Sequence, residues 1–176
     1  MAFECSEVSE NDPVARQDIL FARIYQNHAW GDQLEGWFID NAGYVKGFSN
    51  QRNQSLDWIN SSEGGFITEN DLFHNYLQSD TTFMNLTMTE LYRYYSKTQE
   101  AIKGTLTERE SGGADMGQFS YYILEYFPDI KKYKFVIMES NGDFIIRNTS
   151  SEAGQIAQWL KRIDKDLAMV DYSEVE

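Results

Sequence analysis

The chain has 176 residues, of which 41% are hydrophobic and 15% aromatic, with Asp+Glu 28 against Lys+Arg 15. That size and apolar content are enough to bury a core, which excludes a wholly disordered protein and fits one domain. The formal net charge of -13 repels phosphate backbones and anionic lipid, so direct nucleic-acid binding is not expected; the same field would steer a basic protein toward the surface.

Cys5 is the single cysteine, so no internal disulfide can form, and a domain of this length needs none. No apolar run reaches the length of a membrane span, and the N-terminus lacks a basic stretch followed by a hydrophobic one. Membrane insertion is therefore not expected. The cysteine usage favours a reducing, cytoplasmic setting, and an exported origin fits only if a leader has been removed.

Residues 1–13 carry Glu4, Glu7, Glu10 and Asp12 among few apolar side chains and are expected to form a flexible acidic segment. Residues 14–170 read as a single α+β domain, and 171–176 as an acidic tail. The run from Ile19 to Tyr25 suits a helix or a buried extended segment. Its continuation through Gly31 favours strands. Glu35 to Phe48 reads as a hairpin around Asn41-Ala42-Gly43, and 50–60 as a polar connection with a short helical turn. Thr68 caps a helix with Asp71 three residues on, and Leu72, Phe73, Tyr76 and Leu77 are expected to pack inward.

A longer helix is expected from Thr87, with Glu90 at the capping-box position and Leu91, Tyr94, Tyr95, Thr98, Ala101 and Ile102 at helical spacing up to Gly104. Thr105 to Gly117 reads as an exposed loop, and Phe119 to Phe127 as a strand. Lys134 to Arg147 predicts a hairpin turning at Asn141-Gly142. It leads into a helix with Ser151 as its cap and Ile156, Trp159, Leu160 and Ile163 on its apolar side. The expected fold is thus a small, mainly antiparallel sheet built from hairpins and packed against two or three helices.

Chemical motifs are sparse. His28 and His74 are far apart in sequence, so a structural or surface role is expected for each, and Cys5, in a poor context for a catalytic site, is read as an incidental thiol. Asp40 and Asp143, each beside a turn, would make an acid/base pair or cation site only if the two hairpins faced one edge; turn chemistry explains each as well. Glu63 or Glu108 could complete such a pocket only through tertiary packing. Gly64-Gly65 and Gly112-Gly113 lack the strand, helix entry and lysine of a phosphate loop. Trp37 and Trp159 are read as core, while Trp30 beside Gly31 is a candidate contact residue.

Charge and aromatics together favour an acidic protein-interaction domain, of the inhibitor or immunity type, engaging a basic partner. The residues expected to meet that partner are Trp30 and Glu35 near the first hairpin, and Glu108, Arg109, Glu110 and Asp115 in the loop. A small hydrolase or carbohydrate-binding protein is the competing reading; it needs two carboxyl groups converging in an aromatic cleft. A non-catalytic accessory domain is the third. No catalytic residue, metal ligand or cofactor is expected in the leading reading.

Overall fold

The computed structural model describes residues 14–29, 31–50, 65–79 and 81–168. Its strands are β1 (Ile19–Asn27), β2 (Gln33–Asp40), β3 (Tyr44–Ser49), β4 (Phe66–Thr68), β5 (Thr81–Asn85), β6 (Glu110–Ser111), β7 (Gln118–Phe127), β8 (Lys132–Gly142) and β9 (Phe144–Arg147). They form one nine-stranded sheet in the order β5-β3-β2-β1-β7-β8-β9-β6, with β4 paired to the start of β8. Every pairing of these strands is antiparallel. The helices are α1 (Glu69–Leu77), α2 (Met88–Tyr95), the single-turn α3 (Thr98–Ala101) and α4 (Ser151–Ala168). The α+β class and the antiparallel sheet are as the sequence implied.

Both faces of the central strands are covered, which is why Ile19, Leu20, Phe21 and Ala22 are all buried instead of alternating with polar residues. On one face, α2, α3 and α4 pack Leu91, Ala101, Ile156, Trp159, Leu160 and Ile163 against Phe21, Trp37, Ile39 and Ile123. On the other, Leu72 of α1 joins Phe38, Phe48, Ile67, Leu124, Tyr133 and Phe135. Each large side chain buried in these layers contributes roughly 1.5 to 3 kcal/mol. Before β1, the buried Gln17 side chain donates from Nε2 to the carbonyls of Ile19 (2.9 Å) and Leu124 (2.7 Å), tying the chain's entry to β7.

Several local expectations need correction. The helix from Thr87 is interrupted at Ser96-Lys97, where Ser96 Oγ donates to the Arg93 carbonyl (3.1 Å) and Thr98 Oγ1 to that of Tyr95 (2.8 Å). Such hydroxyls compete with the helical ladder. Thr87 does cap it, accepting from the Glu90 amide at 3.2 Å, but the Glu90 carboxylate turns to Trp159 instead of reaching back. In α1 only Leu72 and Asn75 are buried; Phe73 is 47% and Leu77 65% exposed. One residue is about 100° of helix rotation, so the stripe through 72, 75 and 76 leaves 73 and 77 outside. For α4, Ser150 Oγ accepts from the Ala153 amide (3.4 Å), so Ser150 caps the helix in place of Ser151.

The second hairpin exists, but its tip is wider than Asn141-Gly142. Asn141 and Gly142 stay in β8, paired with Phe119 and Gln118, and the closest β8 to β9 pair is Ser140 with Ile146. The turn spans 141–145. Gly142 has φ 139°, and a Cβ there would lie 1.9 Å from the Gly117 carbonyl oxygen, so the close crossing of these two backbones admits only glycine.

Candidate functional site

The segment 105–117 is exposed, as expected of a loop, but it is tied at several points along the sheet edge. Leu106 bridges Asn148, and Glu110 and Ser111 pair with Ile145 and Phe144 as β6. The Thr107 amide donates to the Arg147 carbonyl (2.8 Å), the Gly112 amide to that of Asp143 (3.0 Å), and the Arg147 amide to Thr107 Oγ1 (3.0 Å). Asp143 pins the far end. Its amide donates to the Gly117 carbonyl (3.0 Å) and its Oδ1 accepts from the Met116 amide (2.8 Å). Asp115, at φ 59°, makes the left-handed step that Asp tolerates better than most residues.

This edge displays Glu108, Arg109, Glu110 and Asp115, all exposed. Arg109 lies over the Phe144 ring, 4.2 Å from its centroid. Leu106, Met116 and Phe144 are 48%, 58% and 40% exposed. Acidic groups and uncovered apolar side chains therefore share one backbone-locked strip, a combination that composition alone could not place.

Glu35 is exposed on β2, opposite Tyr25 of β1, which in turn faces Phe119 of β7. The Tyr25 hydroxyl donates to the Met116 carbonyl (3.3 Å), and the Tyr25 and Phe119 rings lie 4.4 Å apart. Through these two rings the face carrying Glu35 is continuous with the 105–117 edge. Trp30 and Glu63 lie outside the described residues.

Next to the Tyr25 and Phe119 row is a polar cluster that sequence reading missed. Asp164 of α4 accepts from Trp37 Nε1 (2.7 Å) and from the Tyr121 hydroxyl (2.5 Å), with Arg23 Nε 3.3 Å away. Arg23 also stacks on Phe119, 4.7 Å from the ring centroid. Burial and the adjacent Asp164 charge push the Tyr121 hydroxyl well above the usual phenol range. In the neighbouring pair, burial works against the Glu139 charge, but hydrogen bonds from Lys161 (2.6 Å) and Asn141 (2.7 Å) outweigh it and lower its pKa. The signal in the sequence was Asp164 itself, an acid near a helix C-terminus, where local electrostatics disfavour it.

The alternative constellations do not assemble. Asp40 lies at the Ile19 end of β1, and Asp143 beside Gly117 at the Gln26 end, roughly 20 Å apart at the usual strand rise. Asp40 Oδ1 accepts from the amides of Ala42 (3.0 Å) and Tyr44 (2.8 Å), and its other oxygen accepts from the Tyr76 hydroxyl, which is turn chemistry. His28 contacts Asp32 and His74 contacts Gln78, both on the surface. Among the described residues no three His, Cys, Asp or Glu side chains are placed to hold a metal ion. Trp37 and Trp159 are core, at 3% and 1% exposure. Asp18 and Glu69 do line one small cleft of about 220 Å³ with Tyr133 and Phe73.

No family model, curated protein sequence or solved structure matches the chain. Among the described residues no helix is long and apolar enough to cross a membrane.

Proposed function

We propose that this chain is an acidic protein-interaction domain, of the inhibitor or immunity type, that engages a basic partner through the 105–117 edge and the adjoining Glu35 face. The observation that supports it is the strip itself: Glu108, Glu110 and Asp115 share with exposed Leu106, Met116 and Phe144 a sheet edge whose backbone is hydrogen-bonded along its length. Pre-ordering lowers the entropic cost of association, the apolar side chains supply desolvated contact, and the carboxylates supply steering. Arg109, stacked on Phe144, orients that ring and sets a positive charge within the acidic field.

Immobilised wild-type chain and a Phe144→Ser variant, incubated with native extract at low and physiological salt, test the reading. A basic protein retained by wild type and lost from the folded variant supports it; equal retention by both removes the edge from the proposal.

The Asp18 and Glu69 cleft gives the hydrolase or glycan-binding reading one specific place. There Glu69 Oε1 accepts from the Tyr126 hydroxyl (3.1 Å), and the Asp18 amide donates to the Tyr133 hydroxyl (3.3 Å). Glycan-array binding or glycosidase turnover abolished by Asp18→Asn would favour it, and neither signal in wild type would dismiss it.

A further inference from the structure

On the helical side of the molecule, Arg93 and Tyr94 of α2, Lys97 just beyond it, and Gln155, Gln158, Lys161 and Arg162 of α4 line a groove of about 540 Å³. Four of the chain's 15 basic residues meet there, and among the described residues no acidic side chain lines it. In a chain of net charge -13 this is a local reversal of sign. Lys161 is paired with Glu139 at 2.6 Å and Lys97 lies in the field of the Glu152 carboxylate, whereas Arg93 and Arg162 form no ion pair among the described residues. Like charges gathered in one concavity repel one another, and an anion relieves that repulsion.

The groove is also built from beneath. The Tyr94 ring stacks on Trp159 at 4.3 Å with an interplanar angle of 5°, and the buried Trp159 is itself fixed by its Nε1 bond to Glu90 Oε1 (2.7 Å). Arg162 Nη2 donates to the Tyr94 hydroxyl at 2.5 Å. The Arg93 and Arg162 guanidinium carbons lie 5.7 and 6.0 Å from the centre of that same ring. Two guanidinium groups thus lie about one buried tyrosine ring, with the Gln155 and Gln158 amides beside them.

We propose that this groove binds a small molecule carrying two or more phosphate groups. Guanidinium, ammonium and hydroxyl groups present donors in the numbers that a phosphate's acceptor oxygens require. The cations come from α2, from Lys97 just beyond it and from α4, so an anion with linked charged groups can meet both sides of the groove at once. The volume falls in the ordinary range for small-molecule sites. This inference does not depend on the partner-binding reading, because the groove lies between α2 and α4 and shares no residue with the β6–β9 edge.

The test is calorimetric titration of the full chain with inorganic tripolyphosphate at low ionic strength, with butane-1,2,3,4-tetracarboxylate as a charge control. Vesicles of phosphatidylcholine with and without a bisphosphorylated inositol lipid form a second arm. Wild type should bind tripolyphosphate saturably and the tetracarboxylate much more weakly. Arg93→Gln and Arg162→Gln should each weaken tripolyphosphate binding about tenfold or more, while Lys103→Gln, at a cation outside the groove, should leave it unchanged. Arg93 is exposed and can be replaced without touching the Tyr94 hydroxyl, so its variant decides the matter even if Arg162→Gln disturbs the fold. Vesicle capture that needs the inositol lipid and is lost in Arg93→Gln assigns a lipid headgroup; tripolyphosphate binding without vesicle capture assigns a soluble ligand. Absence of both signals, or tripolyphosphate binding unaffected by Arg93→Gln, overturns the proposal.

Discussion

Asp164 offers the sharpest test of how the helical layer is fastened to the sheet. In Asp164→Ala, Trp37 Nε1 and the Tyr121 hydroxyl both lose their acceptor, and Arg23 loses its counter-ion. Trp37 and Tyr121 are 3% and 6% exposed, so water reaches their polar atoms poorly. A buried donor left unpaired costs about 1–3 kcal/mol. The Asp164 side chain is 24% exposed, which places each loss toward the lower half of that range, and alanine returns a few tenths through helix propensity. The expected net loss is about 3 kcal/mol, a fall of roughly 6–12 °C in melting temperature. Asp164→Asn keeps one carbonyl oxygen for one donor, and the Tyr121 hydroxyl can rotate to accept from the new amide, so about half that loss is expected. Urea unfolding followed by tryptophan fluorescence measures both variants. A cost below about 1 kcal/mol for Asp164→Ala, or equal costs for the two variants, would refute the claim that Asp164 serves as a shared acceptor.

Other expectations follow from single features. Gly142→Ala forces a Cβ onto the Gly117 carbonyl at φ 139° and should lower stability by about 2 kcal/mol or more; an unchanged urea midpoint would contradict the crossing. In α1, Leu72→Ala should cost about 2–5 kcal/mol, whereas Leu77→Ser should stay within about 0.5 kcal/mol, and the reverse order would put the wrong face inward. Burial pushes the Tyr133 hydroxyl up to about 12 from 10.0, and Tyr76 and Tyr121 are raised in the same direction. A phenol whose folded pKa is raised binds its proton more tightly in the folded state. Its stabilisation is therefore complete below about pH 10 and is lost as pH rises toward the folded value. Stability should fall from pH 10 upward, less steeply in Tyr133→Phe; identical slopes would exclude Tyr133 from that loss.

The secondary-structure pattern was legible where a local signal coincided with tertiary need. Thr68 and Thr87 cap helices as their spacing implied, and Asn41-Ala42-Gly43 turns between β2 and β3 because Asp40 also ties down the Ala42 and Tyr44 amides. What sequence could not resolve was two-sided burial. Without the second layer, Phe73 and Leu77 look as suitable for the core as Leu72, since side-chain character does not say where the opposing surface lies. The candidate site was half legible: Glu108, Arg109, Glu110 and Asp115 are exposed as their composition implied. Their rigidity comes from Asp143, Gly117 and Gly142, more than 20 residues away or held by long-range backbone bonds. The Asp164 cluster and the basic groove unite residues 141 and 69 positions apart at their widest, Arg23 with Asp164 and Arg93 with Arg162, and no local pattern encodes such meetings.

The most direct test of the interaction reading is the dissociation constant of the captured basic partner, measured against wild type and against a Glu108→Gln, Glu110→Gln, Asp115→Asn variant over a range of ionic strength. Asparagine is the suitable replacement at 115 because it also tolerates the left-handed backbone found there. The account predicts a variant that unfolds like wild type yet binds about tenfold or more weakly at low salt, through slower association, with the difference shrinking as salt rises. Equal affinity at every salt concentration would contradict it.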